Sequence, residues 1–336
     1  MKILIIGGTR FIGLATTKAL HEAGHTIAVF NRGKNAEAVP EGIQHIEGDR
    51  DKLVESADTL RAFAPDVVWH NIVLDDQHVR DVQEVFTGVA KRFVMTSSMD
   101  VYLAFGRLLG KEQVEPITYE ADEDSPVRSV LYLYPDMPGA YRNAKYDKIP
   151  AETLALSSKE LPATIVRLPM VIGANDGQRR LLPLVLPMQA GRDKIVLNET
   201  HANWKSTYGY VDNMARALQM TIESEAASGR VYNAADGVFS WLEVGQMVKD
   251  AMGWGGEFVI APEDKLPEAL HFGMTPQDLA VRAERIRAEL GYAPMIDFEE
   301  GLRRTVAWDL EHVPDPVPPQ MYDPAVQDEA LAGLGS

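Results

Sequence analysis

The sequence predicts an α/β fold in which a mostly parallel sheet carries helices on both faces. Two observations support this prediction. Short apolar runs with the length of buried strands alternate with segments of helical periodicity through the first third of the chain. The first apolar run, Ile3–Ile6, leads directly into the glycine turn Gly7-Gly8. Strands that follow one another with helices between them form parallel sheets, because a parallel connection needs a long crossover.

The individual elements follow from the same pattern. Leu14–Ala23 has helical spacing, and it is followed by Gly24, a residue typical of helix C-termini. Together with Ile3–Ile6 and the strand Thr26–Phe30 it predicts a βαβ unit. The other predicted strands of this half are Ile43–Ile46, Asp66–Trp69, Phe93–Thr96 and Ala163–Leu168, and the other predicted helices are Asp51–Phe63, Gln77–Ala90 and Tyr141–Ser158.

The later part of the chain predicts a second lobe and a tail. Residues 103–138 lack periodicity, which is typical of a lid, a binding loop or a partly disordered loop. Elements after about Val171 are shorter: strands Arg230–Asn233 and Phe258–Ile260, and helices Leu242–Met252, Leu279–Leu290 and Phe298–Asp309. We therefore expect a first domain over residues 1–170 with 103–138 inserted, a second lobe mostly over 171–312, and an extended tail over 313–336.

Composition excludes several classes of protein. A net charge of −16 opposes nucleic-acid binding, which depends on Lys and Arg that neutralise phosphates. The chain has no cysteine, so a disulfide framework and thiolate sites are excluded. The most apolar stretch, Leu181–Met188, is too short to span a bilayer. Lys2 leads directly into the first strand, so no secretion signal is expected. These features are typical of a cytoplasmic enzyme that acts on a small molecule.

The glycine turn has the features of a phosphate-binding cradle. Glycine tolerates positive φ and lets a ligand approach the backbone closely. The N-terminus of the following helix offers unpaired N–H groups and the positive end of a dipole. A tight turn without any ligand would contain the same glycines, so the turn indicates a dinucleotide site only together with the rest of the chain.

Nine segments in order along the chain resemble one known family. They are IIGGTRFIG, GHTIAVFNRG, DVVWHN, FVMTSSMDVY, YRNAK, TIVRLPMVIG, YVDNMARAL, GRVYNAAD and ELGYAP…FEEGLRRTVAW. The family is the extended short-chain dehydrogenase/reductase (epimerase/dehydratase) family, and the chain resembles one of its atypical branches. The resemblance implies a Rossmann-type doubly wound parallel sheet that binds a nicotinamide dinucleotide. It also implies a smaller C-terminal lobe that closes over the substrate.

The resemblance assigns catalytic roles to Tyr141, Lys145 and Ser98. Tyr141 and Lys145 match the family's Tyr-x-x-x-Lys pair, which shares one face of a helix. A nearby ammonium lowers the pKa of a phenol, so that it can act as an acid or base. Ser98 matches the hydroxyl that binds the reacting oxygen, and Ser97 is the neighbouring alternative. An amphipathic surface helix and a strand-end cap are the structural alternatives. The gap from Ser98 to Tyr141 is longer than the family usually shows.

The cofactor contacts that the resemblance implies lie mostly at strand ends. They are Gly7, Gly8, Thr9, Arg10, Phe11, Ile12, Gly13, Asn31, Arg32, Asp49, Arg50, His70, Asn71, Ser97, Lys145 and Leu168. The three glycines surround the pyrophosphate, and Asp49 accepts a hydrogen bond from the adenine amine or caps its own turn. His70 lines the ribose side, or it is a hydrogen-bonded structural histidine.

The cofactor predicted from these positions is NADP, with NAD as the alternative. NAD-binding relatives carry an acidic residue after the second strand, where this chain has Asn31-Arg32. Loss of the carboxylate removes repulsion toward a 2′-phosphate, and Arg10, Arg32 and Lys34 can pair with that phosphate. Arg10 also replaces the middle glycine of the family's turn. A solvated surface position is the structural alternative for Arg32.

The substrate lobe lacks one family feature. Relatives that act on nucleotide sugars carry an arginine before the Tyr-Val-Asp segment, where this chain has Ser206-Thr207-Tyr208. Basic residues that can substitute for it are Lys205, Arg179, Arg180 and Arg192. Aromatic residues that can surround a ring-shaped substrate are Trp204, Tyr208, Tyr132 and Tyr134. His201 and the other histidines lack metal-ligand spacing, so no metal is expected.

The function expected from these features is that of an NADP-preferring oxidoreductase or epimerase of the short-chain dehydrogenase type. It would act on a carbonyl or hydroxyl carbon of a small molecule, with Tyr141 as acid/base and hydride transfer through nicotinamide. A nucleotide-sugar epimerase or dehydratase and a non-catalytic dinucleotide-binding sensor are the alternatives. The net charge opposes the RNA binding known among atypical relatives. Homodimerisation through helices is frequent in the family, and neither a nucleic-acid nor a membrane partner is expected.

Overall fold

The strands predicted for the first half of the chain lie side by side in one sheet. The structure, a computed structural model, describes residues 1–35, 38–134, 145–319 and 321–335. Its strands are β1 (Lys2–Ile6), β2 (Thr26–Asn31), β3 (Gln44–Glu47), β4 (Val67–His70), β5 (Arg92–Ser98), β6 (Ala163–Leu168), β7 (Met170–Ile172), β8 (Lys194–Asn198), β9 (Lys205–Tyr210), β10 (Val231–Asn233), β11 (Gly237–Ser240) and β12 (Glu257–Ala261).

Helices cover both faces of this sheet and build the second lobe. They are α1 (Phe11–Glu22), α2 (Ala57–Ala62), α3 (Asp76–Phe86), α4 (Leu103–Leu108), α5 (Lys148–Ser157), α6 (Leu182–Gln189), α7 (Glu199–Asn203), α8 (Val211–Glu223), α9 (Trp241–Met252), α10 (Glu284–Leu290), α11 (Phe298–Glu311) and α12 (Pro324–Leu334).

Seven strands form the central sheet in the order β10-β6-β5-β4-β1-β2-β3, and all neighbours are parallel. β1 therefore lies where the strand order reverses, with β2 on one side and β4 on the other. In open parallel sheets, ligands bind outside the carboxyl ends of the strands at such a point. The predicted Rossmann-type fold is confirmed, and it locates the candidate site.

Alternate residues of β1 pack on opposite faces of the sheet. Ile3 and Ile5 belong to a cluster with residues of α1 and α8, whereas Leu4 and Ile6 pack with residues of α3 and α5. All four side chains are fully buried, and each contributes about 1.5–3 kcal/mol relative to an exposed position. Burial on both faces fixes β1, and with it the glycine turn that follows.

Several predicted helices have different limits in the structure, and three of them bear on the site or on the smaller lobe. α1 begins at Phe11 rather than at Leu14, so Gly13 lies inside the helix. The helix predicted over 51–63 is a 3-10 helix, Arg50–Ser56, followed by α2, because Lys52 has non-helical backbone angles. The helix predicted over 279–290 shortens to α10, because Leu279 instead exchanges backbone hydrogen bonds with β9.

The second half of the chain returns to the large sheet. β10, predicted in the second lobe, pairs with β6, and α8 packs on α1. The smaller lobe consists of the sheets β11-β9-β7 and β12-β8 with helices α6, α9 and α11. The predicted boundary at residue 170 therefore separates the two lobes only in part, because α8 and β10 complete the first domain.

The described part of the segment 103–138 packs between the two lobes. α4 begins it, and Ala121 exchanges two backbone hydrogen bonds of 2.8 Å with Ala280 and Arg282 of the smaller lobe. The Arg128 guanidinium donates two hydrogen bonds of 2.8 Å to Asp147, and both side chains are buried. Tertiary contacts rather than regular secondary structure hold this part of the segment, which accounts for its aperiodic sequence.

The tail differs from its predicted extended form. Residues 324–334 form α12, and the Asp323 side chain accepts a hydrogen bond of 2.9 Å from Ala325 N at its start. Pro324 occupies the first turn, where proline is favoured, and good helix formers follow it. The Gln327 amide binds the backbone N and O of Val196 at 2.8 and 3.2 Å, so α12 is attached to the edge of β8.

Candidate functional site

A cleft of about 170 Å³ lies at the carboxyl ends of β1, β2, β3 and β4. Its lining residues come from the turns that follow these strands. They are Gly7, Gly8, Thr9, Arg10, Phe30, Asn31, Arg32, Lys34, Asn35, Gly48, Asp49, Arg50, Asp51, Asn71 and Ile72. We call this the strand-end cleft. Most of the residues predicted to hold a dinucleotide are thus brought together in one place.

The turn between β1 and α1 requires glycine. Gly7 and Gly8 have φ angles of +102° and +95°. A Cβ atom on Gly8 would lie 2.8 Å from a methyl carbon of Ile5 and 2.9 Å from Thr17 Oγ1. A Cβ atom on Gly13 would lie 2.7 Å from the Asn71 amide nitrogen and 2.9 Å from Gly8 N. The cleft wall here is bare backbone at a helix N-terminus, which suits phosphate groups.

The lining of the strand-end cleft also contains basic residues. Arg10, Arg32 and Lys34 line it, and all three side chains are exposed. None of them forms an ion pair with another residue of the described chain. Glu47 lies beside Gly33 but does not line the cleft. An anion with several charges would therefore meet cations that are not already neutralised.

Asn31 ends β2 at the position predicted to discriminate between cofactors. Its Oδ1 accepts hydrogen bonds from Gly33 N at 2.8 Å and from His45 Nε2 at 2.9 Å. Its Nδ2 is buried and has no hydrogen-bond partner within the described residues. A buried amide donor without a partner costs free energy, so an acceptor supplied by a ligand would stabilise it. Together with the bare glycine turn, this donor fits a dinucleotide.

Asp49, Arg50 and Asp51 follow β3 and connect the cleft to two buried histidines. Asp49 caps the 3-10 helix by accepting from Asp51 N at 3.1 Å, as its structural interpretation predicts. Asp51 pairs with Arg50 at 3.2 Å and accepts from His78 Nε2 at 2.8 Å. His78 in turn stacks on His70 with ring centres 5.4 Å apart.

His70 is a buried structural histidine in this arrangement. It is 1% exposed, and its Nδ1 accepts a hydrogen bond of 3.2 Å from Ile72 N. Burial holds the pKa of His70 well below its usual range, and the nearby His78, Arg50 and Lys148 side chains act in the same direction. The ring is therefore neutral at the end of β4. The contact of His70 with the cofactor's ribose stays a prediction.

Other predicted cofactor contacts point away from the strand-end cleft. Phe11 and Ile12 pack against the core cluster beside α8, and Leu168 is 4% exposed within that cluster. Ser97 is 3% exposed and donates a hydrogen bond of 2.5 Å to Glu152. Because successive strand residues face opposite sides, Ser97 faces a buried ion pair while Ser98 faces the other way.

Among the described residues, the helix predicted over Tyr141–Ser158 is shorter than predicted and spans Lys148–Ser157. Tyr141 lies outside the described residues, and Lys145 is exposed in a turn before α5. α5 begins at Lys148 because Asp147 caps it by accepting from Ile149 N at 2.9 Å. Pro150 falls in the first turn of the helix, where its missing N–H is tolerated. Lys145 therefore precedes α5, and whether it pairs with Tyr141 stays a prediction.

Ser98 ends β5 next to a 3-10 helix, Met99–Val101. Its Oγ accepts a hydrogen bond of 3.2 Å from Asp100 N, so it caps this short helix. A hydroxyl that accepts from a backbone N–H keeps its own proton available for a second acceptor. The structural interpretation of Ser98 and its predicted role in binding a reacting oxygen are therefore compatible.

Lys148, Tyr146 and Asp100 lie close to Ser98, and the sequence analysis did not identify them. Lys148 is 4% exposed, and its Nζ donates to the carbonyl oxygens of Val73 and, at 3.3 Å, of Thr96. The Tyr146 hydroxyl donates to Asp100 at 2.7 Å. One signal could have found Lys148: Asp147 followed by Pro150 is a pattern typical of a helix start, and it places Lys148 at the first helical position.

A buried ion pair between β6 and α5 stabilises the region around Ser98. The Arg167 guanidinium binds Glu152 at 2.7 Å, with both side chains 6% exposed, and joins β6 to α5. The Tyr102 hydroxyl accepts from Arg167 at 3.0 Å and donates to Asn233 of β10 at 2.7 Å. Burial raises the pKa of Tyr102 to about 12, so the phenol stays neutral. With Ser97, these groups fix β5 relative to α5.

A second cavity, of about 480 Å³, lies in the smaller lobe. We call it the C-lobe cavity. Trp204, Trp241, His201 and Phe272 supply rings to its walls, and the tail supplies Tyr322. Of the aromatic residues predicted to surround a substrate, Trp204 lines this cavity. Tyr208 is 1% exposed in the lobe's core, Tyr132 is exposed, and Tyr134 meets Tyr146 edge to face.

The arginines predicted to bind a diphosphate are each engaged with a carboxylate. Arg179 binds Asp309 at 2.8 Å, and Arg180 binds Asp176 at 2.8 Å. Arg192 pairs with an aspartate of α12. Lys205 is exposed at the start of β9. The arrangement leaves the C-lobe cavity without an unpaired arginine among the residues that the structure describes.

Among the described residues, no helix is both long and apolar enough to cross a membrane. Within the same ranges, no three His, Asp or Glu side chains are grouped as ligands of a metal ion.

Comparison with known proteins gives relatives along nearly the whole chain. The chain is 27% identical to a UDP-glucose 4-epimerase of Corynebacterium glutamicum, over 88% of this chain and 91% of that protein. It is 26% identical to the chloroplast stem-loop binding protein of 41 kDa b of Arabidopsis thaliana, over 90% and 77% respectively. The crystal structure of Thermus thermophilus UDP-glucose 4-epimerase in complex with NAD matches with a TM-score of 0.68 at 19% identity, covering 93% of this chain and 100% of that one.

The chain also matches a whole protein family. A sequence model of one family matches residues 3–235, more than half of the chain. The matched range includes the strand-end cleft and the end of β5. The protein belongs to the NAD dependent epimerase/dehydratase family.

Proposed function

We propose that this protein is an NADP-preferring enzyme of the short-chain dehydrogenase type that acts on a carbonyl or hydroxyl carbon of a small molecule. The observation that carries the proposal is the strand-end cleft, which is lined by a bare glycine turn and by three cations without ion-pair partners in the described chain. A phosphate-rich dinucleotide matches both features. The family membership supports the same class of cofactor.

The proposed roles divide between the two ends of the cofactor. Backbone N–H groups after β1 would hold the pyrophosphate, and Asn31, Arg32 and Arg10 would hold the adenosine side. When bound, the nicotinamide supplies hydride transfer. Ser98 would donate a hydrogen bond to the substrate oxygen, and Tyr141 would transfer the proton to or from it.

We assign the ammonium that assists Tyr141 to Lys148 rather than to Lys145. Lys148 is buried beside the Thr96 carbonyl, two residues before Ser98, whereas Lys145 is exposed in a turn. A charge in a buried position acts on its neighbours through a lower effective dielectric, so its influence on the pKa of a nearby phenol is larger. The same ammonium could bind the hydroxyl groups of the nicotinamide ribose.

The cofactor preference predicts the outcome of a thermal-shift comparison. NADPH and NADP should raise the melting temperature more than NADH and NAD, because only NADP and NADPH carry the 2′-phosphate that is proposed to pair with Arg32 and Arg10. A ligand present at 100 times its Kd adds about 2.7 kcal/mol to the stability of the folded form. In an Arg32→Ser variant, the cofactors with and without the 2′-phosphate should give nearly equal shifts.

Lys91 provides the matched control for that comparison. It is an exposed cation that pairs with Asp66 away from the cleft, so Lys91→Ser should keep the NADP preference. Equal shifts for all four dinucleotides on the unsubstituted protein would contradict the preference for NADP. If none of the four dinucleotides raised the melting temperature, the proposed function as a dinucleotide-dependent enzyme would be contradicted.

Two alternative functions have less support from the structure and the sequence. The relatives named as UDP-glucose 4-epimerases act on a nucleotide sugar, but the arginines around the C-lobe cavity of this chain are paired with carboxylates. The Arabidopsis relative is named for stem-loop binding, and the net charge of −16 opposes that activity here. An epimerisation or dehydration would turn over substrate without net consumption of NADPH, so product analysis separates it from reduction.

A further inference from the structure

Several aromatic rings line the C-lobe cavity. His201 stacks on Trp241 with ring centres 5.3 Å apart and planes within 2° of each other. Phe272 lies 5.6 Å from His201 and 6.0 Å from Trp204, tilted against both. Aromatic rings favour stacked or edge-to-face partners, so walls of this kind select a planar ligand. The volume of about 480 Å³ is within the range that holds a small organic molecule.

The charged side chains in the cavity walls already have partners within the protein. Arg180, in the wall, donates to both carboxylate oxygens of Asp176 at 2.8 and 2.9 Å. Asp323, also in the wall, caps α12. A pyrophosphate group would bring about two negative charges into this space without an unpaired arginine to meet them, and desolvating those charges is costly. An uncharged ligand avoids this cost.

Most polar groups in the walls already have partners. Asn198 donates to Glu263 at 2.8 Å, and Trp204 Nε1 donates to Gln277 O at 2.8 Å. His201 differs, because its ring forms no hydrogen bond with any residue that the structure describes. Burial lowers the pKa of His201 to about 4, so its imidazole is neutral at physiological pH. It therefore offers one donor and one acceptor to a ligand.

We propose that the C-lobe cavity binds an uncharged, planar aromatic group of the substrate, with His201 as its hydrogen-bonding partner. This inference rests on the proposed function, because it names the substrate class of that enzyme. Met170 and Trp204 connect the two regions. Both line the cavity, and both pack against the apolar cluster that contains Met99, the residue after Ser98. A substrate bound here would have one end near the end of β5.

The tail closes the cavity and contributes to its selectivity. Met321 and Tyr322 line it just before α12, and the amide of Gln327 fixes that helix to β8. The Tyr322 side chain also hydrogen-bonds to Arg192, which pairs with Asp328 of α12. The described part of the tail that lines the cavity is therefore attached to the lobe at two places, through Gln327 and through Asp328.

Two small probes test the inference on the full chain loaded with NADPH. Coumarin is an uncharged planar bicycle with a carbonyl acceptor, and UDP carries a pyrimidine with a diphosphate. Titration calorimetry should give saturable binding of coumarin with a Kd at least about tenfold lower than that of UDP. UDP binding as tight as that of coumarin, or no saturable binding of coumarin, would overturn the inference.

Two tryptophan variants test whether coumarin binds in the C-lobe cavity. Trp204→Ala should weaken coumarin binding about tenfold, because it removes a ring wall of the cavity. Trp308→Ala should not change it, since Trp308 stacks on His312 outside the cavity. Equal effects of the two substitutions would also overturn the inference. Stabilisation by NADPH, measured on each variant, shows that it is folded with its cleft intact.

The two proposals fail in different ways. If NADPH stabilises the protein but UDP binds more tightly than coumarin, the proposed enzyme stands and its substrate class is wrong. If coumarin binds through Trp204 but no dinucleotide binds, the assignment of the cavity stands as a binding site and the proposed function is wrong.

Discussion

Lys148→Met is expected to lower turnover by about 100-fold or more, whereas Lys145→Met should change it by less than about threefold. Lys148 is buried with its Nζ at the Thr96 carbonyl, and Lys145 is exposed before the helix begins. Only a buried ammonium near the end of β5 can strongly favour the ionised form of a phenol beside it. The measurement is steady-state oxidation of NADPH, using the aldehyde or ketone from a broad panel that the unsubstituted protein reduces fastest.

The comparison of the two lysines has internal controls. Circular dichroism and urea unfolding would test whether Lys148→Met is folded. Tyr141→Phe should cost a similar factor, and the double variant should be little worse than either single one, because groups that act as a unit are not additive. A larger loss from Lys145→Met than from Lys148→Met would return the role to the lysine of the Tyr-x-x-x-Lys pattern.

Glu152→Ala is expected to destabilise the fold by about 3–5 kcal/mol. The substitution leaves the Arg167 guanidinium buried without its carboxylate, and it also removes the acceptor of the Ser97 hydroxyl. Uncompensated charges in the interior are strongly destabilising, because neither water nor a partner solvates them. Urea denaturation at neutral pH measures the change in the free energy of unfolding.

An exposed ion pair serves as the matched control. Glu257 pairs with Lys194 at 3.0 Å, with both side chains more than half exposed. Glu257→Ala should therefore cost less than about 1 kcal/mol. The double variant Glu152→Leu with Arg167→Met removes both buried charges and should recover part of the loss. If Glu152→Ala costs no more than Glu257→Ala, the buried pair does not hold β6 to α5.

The part of the fold predicted from the sequence is the part held by local patterns. Ile3–Ile6 is a continuous apolar run and Ala163–Leu168 is a mostly apolar one, and the structure contains strands at both places. The glycine turn was also predictable from the sequence, because its positive φ angles are accessible to few residues other than glycine. Local patterns of this kind identified the strand-end cleft, whose lining residues follow directly from the ends of successive strands.

The unpredicted features depend on contacts between distant residues. The start of α5 is set by Asp147, which Arg128 of the inserted segment holds from nineteen positions away. Leu279 lies outside α10, contrary to the prediction, because it pairs with β9. The C-lobe cavity brings together residues as distant as Met170 and Tyr322. Periodicity carries no information about such pairs, so the site around Ser98 and the substrate cavity were only partly predictable.

The most direct test of the strand-end cleft as a dinucleotide site is hydrogen exchange of backbone amides with and without NADPH. Slower exchange is expected in the turn after β1, over residues 7–13, and at the ends of β2 and β3. The backbone of α9, in the smaller lobe, should exchange unchanged. Protection confined to the smaller lobe, or no protection in the glycine turn at saturating NADPH, would contradict the assignment of this cleft to the cofactor.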